Sequence, residues 1–333
     1  MSPPPRVLVP AAIAATPPAP GGRVHEFAGE TMGTTWRVHL VAAPTLWREP
    51  VRLAIQSALD EVVAQMSTWE PDSDLARFNR AAAGSWQALP EHFHAVLACA
   101  REVAERSGGA FDPTAGALVD AWGFGPAPRH GVPHAARLSH ARRSAGWRRL
   151  DVDPERRALR QPGGLALDLS AIAKGFGVDL VARRLQARGI VHHLVEVGGE
   201  LRGTGVKPDG RPWWVQLEQP DGEDRGERTL LALHGLSVAT SGDYRRWFEH
   251  AGTRYSHTID PRDGRPIRHG LAAATVIHLD CMRADAWSTA LNVLGPDAGV
   301  ALADRLGLAA RLLVRDGGRF IERRSAAFDA LLE

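Results

Sequence analysis

The sequence contains very little cysteine and carries almost no net charge. Its 333 residues include only two cysteines, Cys99 and Cys281, and one such pair cannot build a disulfide framework or a cysteine-rich zinc site. The 40 Lys and Arg residues nearly balance the 38 Asp and Glu residues, leaving a formal charge of +2. Bulk electrostatics therefore gives no reason to expect nucleic acid or an anionic membrane surface as a partner.

Long apolar runs and several common catalytic motifs are also missing. The stretch from Val7 to Ala15 is interrupted by Pro10, so it is too short to span a bilayer and matches a secretory signal poorly. The spacings His-Glu-x-x-His, Gly-x-Ser-x-Gly and Gly-x-Gly-x-x-Gly do not occur, and the Lys174-Gly175 pair lacks the preceding glycine of a Walker motif. These absences argue against a metalloprotease, a nucleophile-elbow hydrolase and a glycine-loop nucleotide fold.

What is present is the composition of an ordinary soluble globular protein. Hydrophobic residues make up 44% of the chain and charged residues 23%, which is enough to bury a large core. Residues 1–22 are rich in Pro and Ala, and we predict a disordered leader there because such a segment offers little to bury. Residues 23–333 are predicted to form the folded domain.

The hydrophobic pattern mixes helices with runs of consecutive strands. A strand with alternating Trp36, Val38 and Leu40 is followed by a helix from Val51 to Met66, and Ser73 is a candidate N-cap for a second helix. Pro126 to Arg149 shows no clean period and is predicted to be an irregular surface excursion. Further helices are predicted over Glu91–Ser107, Ser170–Arg188 and Met282–Leu294, and strands over Ile190–Val197, Trp213–Glu218, Thr229–Leu233, Ser237–Thr240, Ala273–Leu279 and within Arg311–Glu322. This order predicts an α+β architecture and argues against a doubly wound fold.

Two segments have the residue types of a phosphate and metal site. Asp168 and Lys174 flank a predicted strand-to-helix junction, where free amide groups and the helix dipole favour an anion. Asp285 and Thr289 are four residues apart on a predicted helix, so that both oxygens project from one face and offer hard ligands for Mg²⁺. Taken alone, a capped helix start with a surface lysine and an exposed helical Asp are the commoner structures for such segments.

Other polar and aromatic residues stand at predicted turns. His257 and Asp243 lie in turn-rich segments between strands, and a lone His in such a place is more often structural than catalytic. Trp69 is a candidate for stacking on a flat ring, although an isolated Trp is more often part of a core.

Seven segments of the chain form an ordered set of motifs. They begin with Thr31-Met-Gly-Thr-Thr35 and continue with Met66–Asn79, Gly109–Gly125, Asp168–Asp179, Glu196–Glu200, Ala239–Gly264 and Ala284–Gly295. In this order they resemble the ApbE family of FAD:protein FMN transferases. Each motif is weak alone, but the ordered set spans most of the chain. The resemblance implies a T-fold-like α+β body, with a mostly antiparallel sheet, packed helices and an FAD cleft.

The resemblance also implies a set of site residues. The FAD site is expected to be lined by Met32, Trp69, Ala110, Phe111, Asp112, Asp168, Lys174 and His257. The implied Mg²⁺ ligands are Asp285, Thr289 and the backbone carbonyl of Ala171. His257 is the candidate for taking the acceptor's proton, with Asp168 as a second catalytic residue and Asp243 as an alternative base.

The reaction implied is Mg²⁺-dependent transfer of FMN from FAD to a Ser or Thr hydroxyl of an acceptor protein that carries a flavinylation motif, with release of AMP. Two other functions remain possible from the sequence: an FAD pyrophosphatase that uses water, and a non-catalytic protein that binds or senses FAD. A monomer or weak dimer is expected. Because the lipoprotein signal of many family members is not visible, the sequence favours the cytoplasm, while the family leaves a periplasmic or inner-membrane-associated location open.

Overall fold

A long hairpin near the start of the chain opens the central sheet. The computed structural model describes residues 5–10, 13, 16–126, 131–220 and 228–332. Strands β2 (Arg23–Thr31) and β3 (Thr34–Ala42) pair along nine positions, from Arg23 opposite Ala42 to Thr31 opposite Thr34. As the alternation predicted, Trp36, Val38 and Leu40 are buried on one face of the sheet.

The remaining elements follow the predicted mixture of helices and strands. The helices are α1 (Arg48–Met66), α2 (Asp74–Arg80), α3 (Glu91–Arg106), α4 (Gly116–Ala121), α5 (Ala135–Arg143), α6 (Ala173–Gln186), α7 (Cys281–Leu294), α8 (Pro296–Leu306) and α9 (Ala326–Asp329), with a 3₁₀ turn at Trp147–Arg149. The other strands are β1 (Arg6–Leu8), β4 (Trp86–Ala88), β5 (Asp151–Asp153), β6 (Ala158–Arg160), β7 (His193–Val197), β8 (Glu200–Thr204), β9 (Trp213–Gln216), β10 (Thr229–Leu233), β11 (Leu236–Gly242), β12 (Trp247–His250), β13 (Thr253–Ser256), β14 (Ile259–Asp260), β15 (Arg265–Pro266), β16 (Leu271–His278), β17 (Ala309–Asp316) and β18 (Arg319–Arg324).

Eight strands form the central sheet in the order β18-β17-β16-β11-β8-β7-β3-β2. Every neighbouring pair in it is antiparallel, which confirms the predicted α+β class with a mostly antiparallel sheet. The main core lies between this sheet and α1, α3, α6 and α7. A smaller core on the opposite face packs the sheet against β9 and β10, so the sheet is covered on both sides.

Local patterns in the sequence predicted where several helices begin, with one difference at α6. The Ser73 hydroxyl accepts a hydrogen bond from the Ala76 amide at 2.9 Å and caps α2, as expected from its place before the helix. Helix α6 begins at Ala173 rather than at Ser170. The Asp168 carboxylate accepts from the Ser170 amide at 2.8 Å, and this turn takes the place of the first helical turn.

Two segments predicted to lack regular structure are partly ordered. Within the predicted leader, residues 1–22, β1 runs parallel to β10 and buries Leu8 completely. Residues 1–4, 11, 12, 14 and 15 of that leader lie outside the described residues. Within the predicted excursion Pro126–Arg149, helix α5 forms with Ala141 buried. Strand β1 is too short for a period to show in the sequence, and α5 has only one buried residue, so no apolar stripe marks it. Contacts with distant residues stabilise both elements.

No helix among the described residues is long and apolar enough to cross a membrane.

Candidate active site

The centre of the site is a close crossing of helices α6 and α7. A Cβ atom at Gly175 would lie 2.7 Å from the carbonyl carbon of Cys281 and 2.8 Å from Cβ of Asp285, so only glycine permits this approach. The Gly175 amide, in the first turn of α6, donates to Oδ2 of Asp285 at 3.0 Å. The start of α6, with its positive dipole end, therefore holds the buried Asp285 carboxylate.

Lys174 extends from the same turn into a pair of buried acids. Its Nζ lies 2.6 Å from Oε1 of Glu200 and 3.9 Å from Oδ1 of Asp285. Burial lowers the pKa of Lys174, but the negative charges of Asp285 and Glu200 outweigh that effect and raise it above its ordinary value. Burial raises the pKa of the Glu200 carboxyl, and the nearby ammonium opposes the rise. The lysine is thus a charged and partly buried side chain that is paired with acids.

Thr289 joins Asp285 on the predicted face of α7 and is held by a chain of hydroxyl groups. Its Oγ1 lies 2.8 Å from Oγ of Ser241, which is 2.8 Å from Oγ of Ser288. The Ser288 hydroxyl donates to the carbonyl of Asp285 at 2.8 Å. This chain ties strand β11 to α7 and fixes the orientation of the Thr289 oxygen.

The donor set at this point suits a hard divalent cation. It offers one buried carboxylate, whose Oδ1 is 3.9 Å from the nearest ammonium, and one oriented hydroxyl. Ala171, whose carbonyl is the third ligand implied by the resemblance, stands just before α6. Within the described residues no group of three or more His, Cys, Asp or Glu side chains is arranged to hold a metal. A site of one carboxylate with neutral oxygens is compatible with Mg²⁺, which keeps several water or phosphate ligands, and it stays a prediction.

His257 lies at the end of the β12–β13 hairpin, partly buried. Its Nδ1 is 3.0 Å from the carbonyl oxygen of Arg246. Because a carbonyl only accepts, the hydrogen must be on Nδ1, and Nε2 keeps its lone pair. Burial lowers the pKa of His257 to about 4, and the positive charges of Arg246 and Lys174 act in the same direction. The ring is therefore neutral near pH 7 and able to accept a proton at Nε2.

Asp168 and Asp112 organise the loops that lead into α6. The Asp168 amide donates to the carbonyl of Pro113 at 2.8 Å, while its carboxylate closes the turn before the helix. Asn79, at the end of α2, makes two hydrogen bonds with the backbone of Leu167 at 2.9 and 2.7 Å. These contacts fix the segment on which Asp168 stands.

The carboxylate of Asp112 is already fully engaged. Oδ1 accepts from the amide and hydroxyl of Thr114 at 2.8 and 2.6 Å, and Oδ2 accepts from the Trp147 amide at 3.1 Å. Burial raises its pKa, against the lowering by these hydrogen bonds. Ala110 and Phe111 beside it are buried, so a cofactor would meet the backbone and edges of this loop more than its side chains.

The two remaining predicted cofactor residues differ in exposure. Met32 is half-buried in a left-handed backbone conformation, with φ of 50°, and its side chain approaches Gly177 of α6. Trp69 is 57% exposed. An indole so open to solvent is not part of the core, which favours its predicted role as a stacking surface.

Sequence reasoning missed two features of the site. Glu200 is 2% exposed and forms the closest ion pair of Lys174, although the sequence placed it only at the end of the segment Glu196–Glu200 and gave it no role. Asp243, an alternative base in the sequence analysis, has both carboxylate oxygens bound by Arg315 at 2.7 and 2.6 Å. Both oxygens of this carboxylate are therefore committed to the ion pair with Arg315.

A separate cavity of about 430 Å³ lies on the opposite face of the central sheet. Arg37, His39 and Glu196 contribute polar groups to it, and Leu194 and Val238 form part of its apolar lining. Side chains on that face point away from Lys174, because neighbouring residues along a strand point to opposite sides of the sheet.

Comparison with known proteins identifies the family of the chain. The model of the ApbE family matches residues 32–312. The chain belongs to the ApbE family. A relative from Vibrio cholerae, named FAD:protein FMN transferase, is 38% identical over 315 residues, 94% of each chain. Another with the same name, from Haemophilus influenzae, is 36% identical and covers 93% of this chain and 92% of its own.

Solved structures of ApbE proteins share the fold. The apo form of the flavinyl transferase ApbE from Pseudomonas stutzeri superposes with a TM-score of 0.86 at 42% identity, covering 93% of this chain and 97% of its own. The flavin transferase ApbE from Vibrio cholerae gives a TM-score of 0.86 at 36% identity, with 93% and 99% covered. The T-fold-like ApbE architecture expected from the sequence is thereby confirmed.

Proposed function

We propose that this ApbE-family enzyme transfers FMN from FAD to a Ser or Thr hydroxyl of an acceptor protein. The observation that carries the proposal is the pairing of Asp285 with the start of α6, beside the Lys174 ammonium. A cation ligand, an ammonium and a helix start in one place form a pyrophosphate site. The names of the relatives, FAD:protein FMN transferase, supply the substrate and the type of reaction.

The transfer is a phosphoryl substitution. The acceptor oxygen forms a bond to the FMN-side phosphorus of FAD, the bond from that phosphorus to the bridging oxygen breaks, and AMP leaves with the electron pair. The proton of the acceptor hydroxyl must be removed as the new bond forms. Such reactions depend mainly on positioning and on neutralising charge, and the Lys174 ammonium is the proposed group for both tasks.

His257 is the proposed proton acceptor. Its hydrogen bond to the Arg246 carbonyl leaves Nε2 with a lone pair, and its lowered pKa keeps the ring neutral at physiological pH. Asp168, tied to the Ser170 amide, is proposed to position the α6 entry rather than to take the proton.

Asp285, Thr289 and the Ala171 carbonyl are proposed to hold Mg²⁺. When bound there, the ion would screen the charge of the pyrophosphate and stabilise the charge that develops on the leaving AMP. The protein's own part is to keep Oδ1 of Asp285 and Oγ1 of Thr289 oriented, through the Gly175 amide and the Ser241–Ser288 chain.

Mass spectrometry of an acceptor flavoprotein after incubation with this enzyme, FAD and Mg²⁺ tests the proposal. We expect a mass gain of one FMN together with release of AMP, and loss of both with Asp285→Asn, which keeps the shape of the side chain but removes its charge. Cleavage of FAD with an unmodified acceptor would instead show a pyrophosphatase. Binding of intact FAD without cleavage would show a storage or sensing protein.

A further inference from the structure

Glu200 is a buried acid that the proposed reaction does not use. It is 2% exposed at the start of β8, directly after the Gly198–Gly199 turn. Its Oε1 lies 2.6 Å from Nζ of Lys174. Its Oε2 is buried without a hydrogen-bond partner among the described residues. A buried acid with one free oxygen is costly for a folded protein, so its single contact calls for an explanation.

The contact decides which of two acids the ammonium binds. Lys174 is within 4 Å of both Glu200 and Asp285, but only the 2.6 Å distance to Glu200 is a hydrogen bond, while Asp285 Oδ1 is 3.9 Å away. The other oxygen of Asp285 is occupied by the Gly175 amide. An ammonium hydrogen-bonded to Oδ1 would compete directly with a metal ion for the one oxygen that remains.

We propose that Glu200 is a positioning residue that holds the Lys174 ammonium away from Asp285 and so keeps Oδ1 open for a divalent cation. The inference rests on the proposed function, because it takes Asp285 as the metal ligand. Without the Glu200 carboxylate, Lys174 is a partly buried cation, with 27% of its side chain exposed, and its nearest acid is Asp285. Removing one partner of an ion pair leaves the other charge uncompensated, which is costly, so the ammonium closes on Oδ1.

The surrounding structure supports a fixed rather than a mobile pair. A Cβ at Gly198 would meet Cδ of Lys174 at 3.4 Å and the Thr34 side chain at 2.9 Å, so the lysine stem is confined by the turn that precedes Glu200. Arg245 donates to the Gly198 carbonyl at 2.7 Å and is paired with Glu218. The Gly198–Gly199 turn, which directly precedes Glu200, is thereby anchored by Arg245.

Binding of Mn²⁺, followed by its electron paramagnetic resonance signal with and without FAD, tests the inference. We expect Glu200→Gln to weaken Mn²⁺ binding about tenfold or more. Glu200→Asp keeps the charge but shortens the reach by one methylene, and we expect it to weaken binding in the same direction. Unchanged Mn²⁺ binding in Glu200→Gln overturns the inference. Wild-type binding in Glu200→Asp overturns it as well, because the negative charge alone, and not the position of the carboxylate, would then explain the weaker binding of Glu200→Gln.

A double variant covers the case in which Glu200→Gln folds poorly. Glu200→Gln combined with Lys174→Met removes both charges of the pair, and in the absence of FAD we expect it to bind Mn²⁺ at least as tightly as the wild type because no ammonium competes. Weak binding in the double variant overturns the inference. In a crystal structure of Glu200→Gln, Nζ of Lys174 is expected within hydrogen-bond distance of Oδ1 of Asp285, and an unmoved lysine is a contrary result.

Asp285→Asn separates the inference from the proposed function. If the wild type binds no Mn²⁺ with or without FAD, or if Asp285→Asn binds it normally, both proposals fail together. If Asp285→Asn abolishes binding while Glu200→Gln leaves it intact, the metal site stands and only the role of Glu200 is refuted.

Discussion

Replacing Gly175 by alanine tests whether the α6–α7 crossing makes the site. The added methyl would stand 2.7 Å from the Cys281 carbonyl carbon and 2.8 Å from Asp285 Cβ, well inside the normal contact distance of about 3.5–4.0 Å. The first of these atoms is backbone, so the two helices must separate by several tenths of an ångström or more. The hydrogen bond from the Gly175 amide to Asp285, now 3.0 Å long, then lengthens or breaks.

The expected change in the free energy of unfolding of Gly175→Ala follows from three effects. Overpacking of this kind costs about 1–3 kcal/mol, and weakening a hydrogen bond to a buried carboxylate costs about 1.5–3 kcal/mol. The better helix propensity of alanine returns about 1 kcal/mol. We therefore expect Gly175→Ala to lower the free energy of unfolding by about 1.5–5 kcal/mol, and to reduce FMN transfer more than it reduces FAD binding, because it displaces Asp285.

Gly177→Ala is a matched control on the same helix. Its methyl would meet the ends of two flexible side chains, Leu59 and Met32, both at 3.3 Å, and the propensity gain is the same. We expect its free energy of unfolding to stay within about 1 kcal/mol of the wild type. Urea unfolding and the mass-spectrometric transfer assay measure both variants. Equal stability and activity for Gly175→Ala and Gly177→Ala would refute the argument that close helix packing creates the site.

Two further predictions concern histidines. His257→Gln is expected to reduce the transfer rate by about 10²–10⁴-fold while FAD binding, measured by flavin fluorescence, is retained; full activity would exclude His257 as the base. His193 is completely buried, and its burial lowers its pKa from 6.5 to about 4. His193 has a higher pKa in the unfolded chain than in the folded protein, so the unfolded chain takes up the proton at a higher pH. The free energy of unfolding therefore falls as the pH falls from 6.5 toward 4, and this residue accounts for on the order of 3 kcal/mol of the loss. His193→Gln should flatten that part of the curve of unfolding free energy against pH, and an unaltered curve would contradict the prediction.

The sequence predicted the class of fold because the relevant signals are local. Alternation around Trp36, helical spacing from Val51 to Met66 and the Ser73 cap depend on neighbouring residues only, and each is found as expected. Strand β1 and helix α5 were missed for the opposite reason. Three residues of β1 show no period, and their order depends on pairing with Thr229–Leu231, more than 200 positions away.

For the site, the sequence by itself determined which residue types were available and which shared a helix face. The spacing of Asp285 and Thr289 places both on one side of α7, and the junction before α6 predicted the start at which Lys174 stands. Only the tertiary structure decided what these residues touch. The hydrogen bond between Gly175 and Asp285 joins residues that are 110 positions apart in the sequence. The ion pair between Lys174 and Glu200 spans 26 positions, and the one between Asp243 and Arg315 spans 72. Such contacts depend on how the helices cross the sheet, and no local pattern records that geometry.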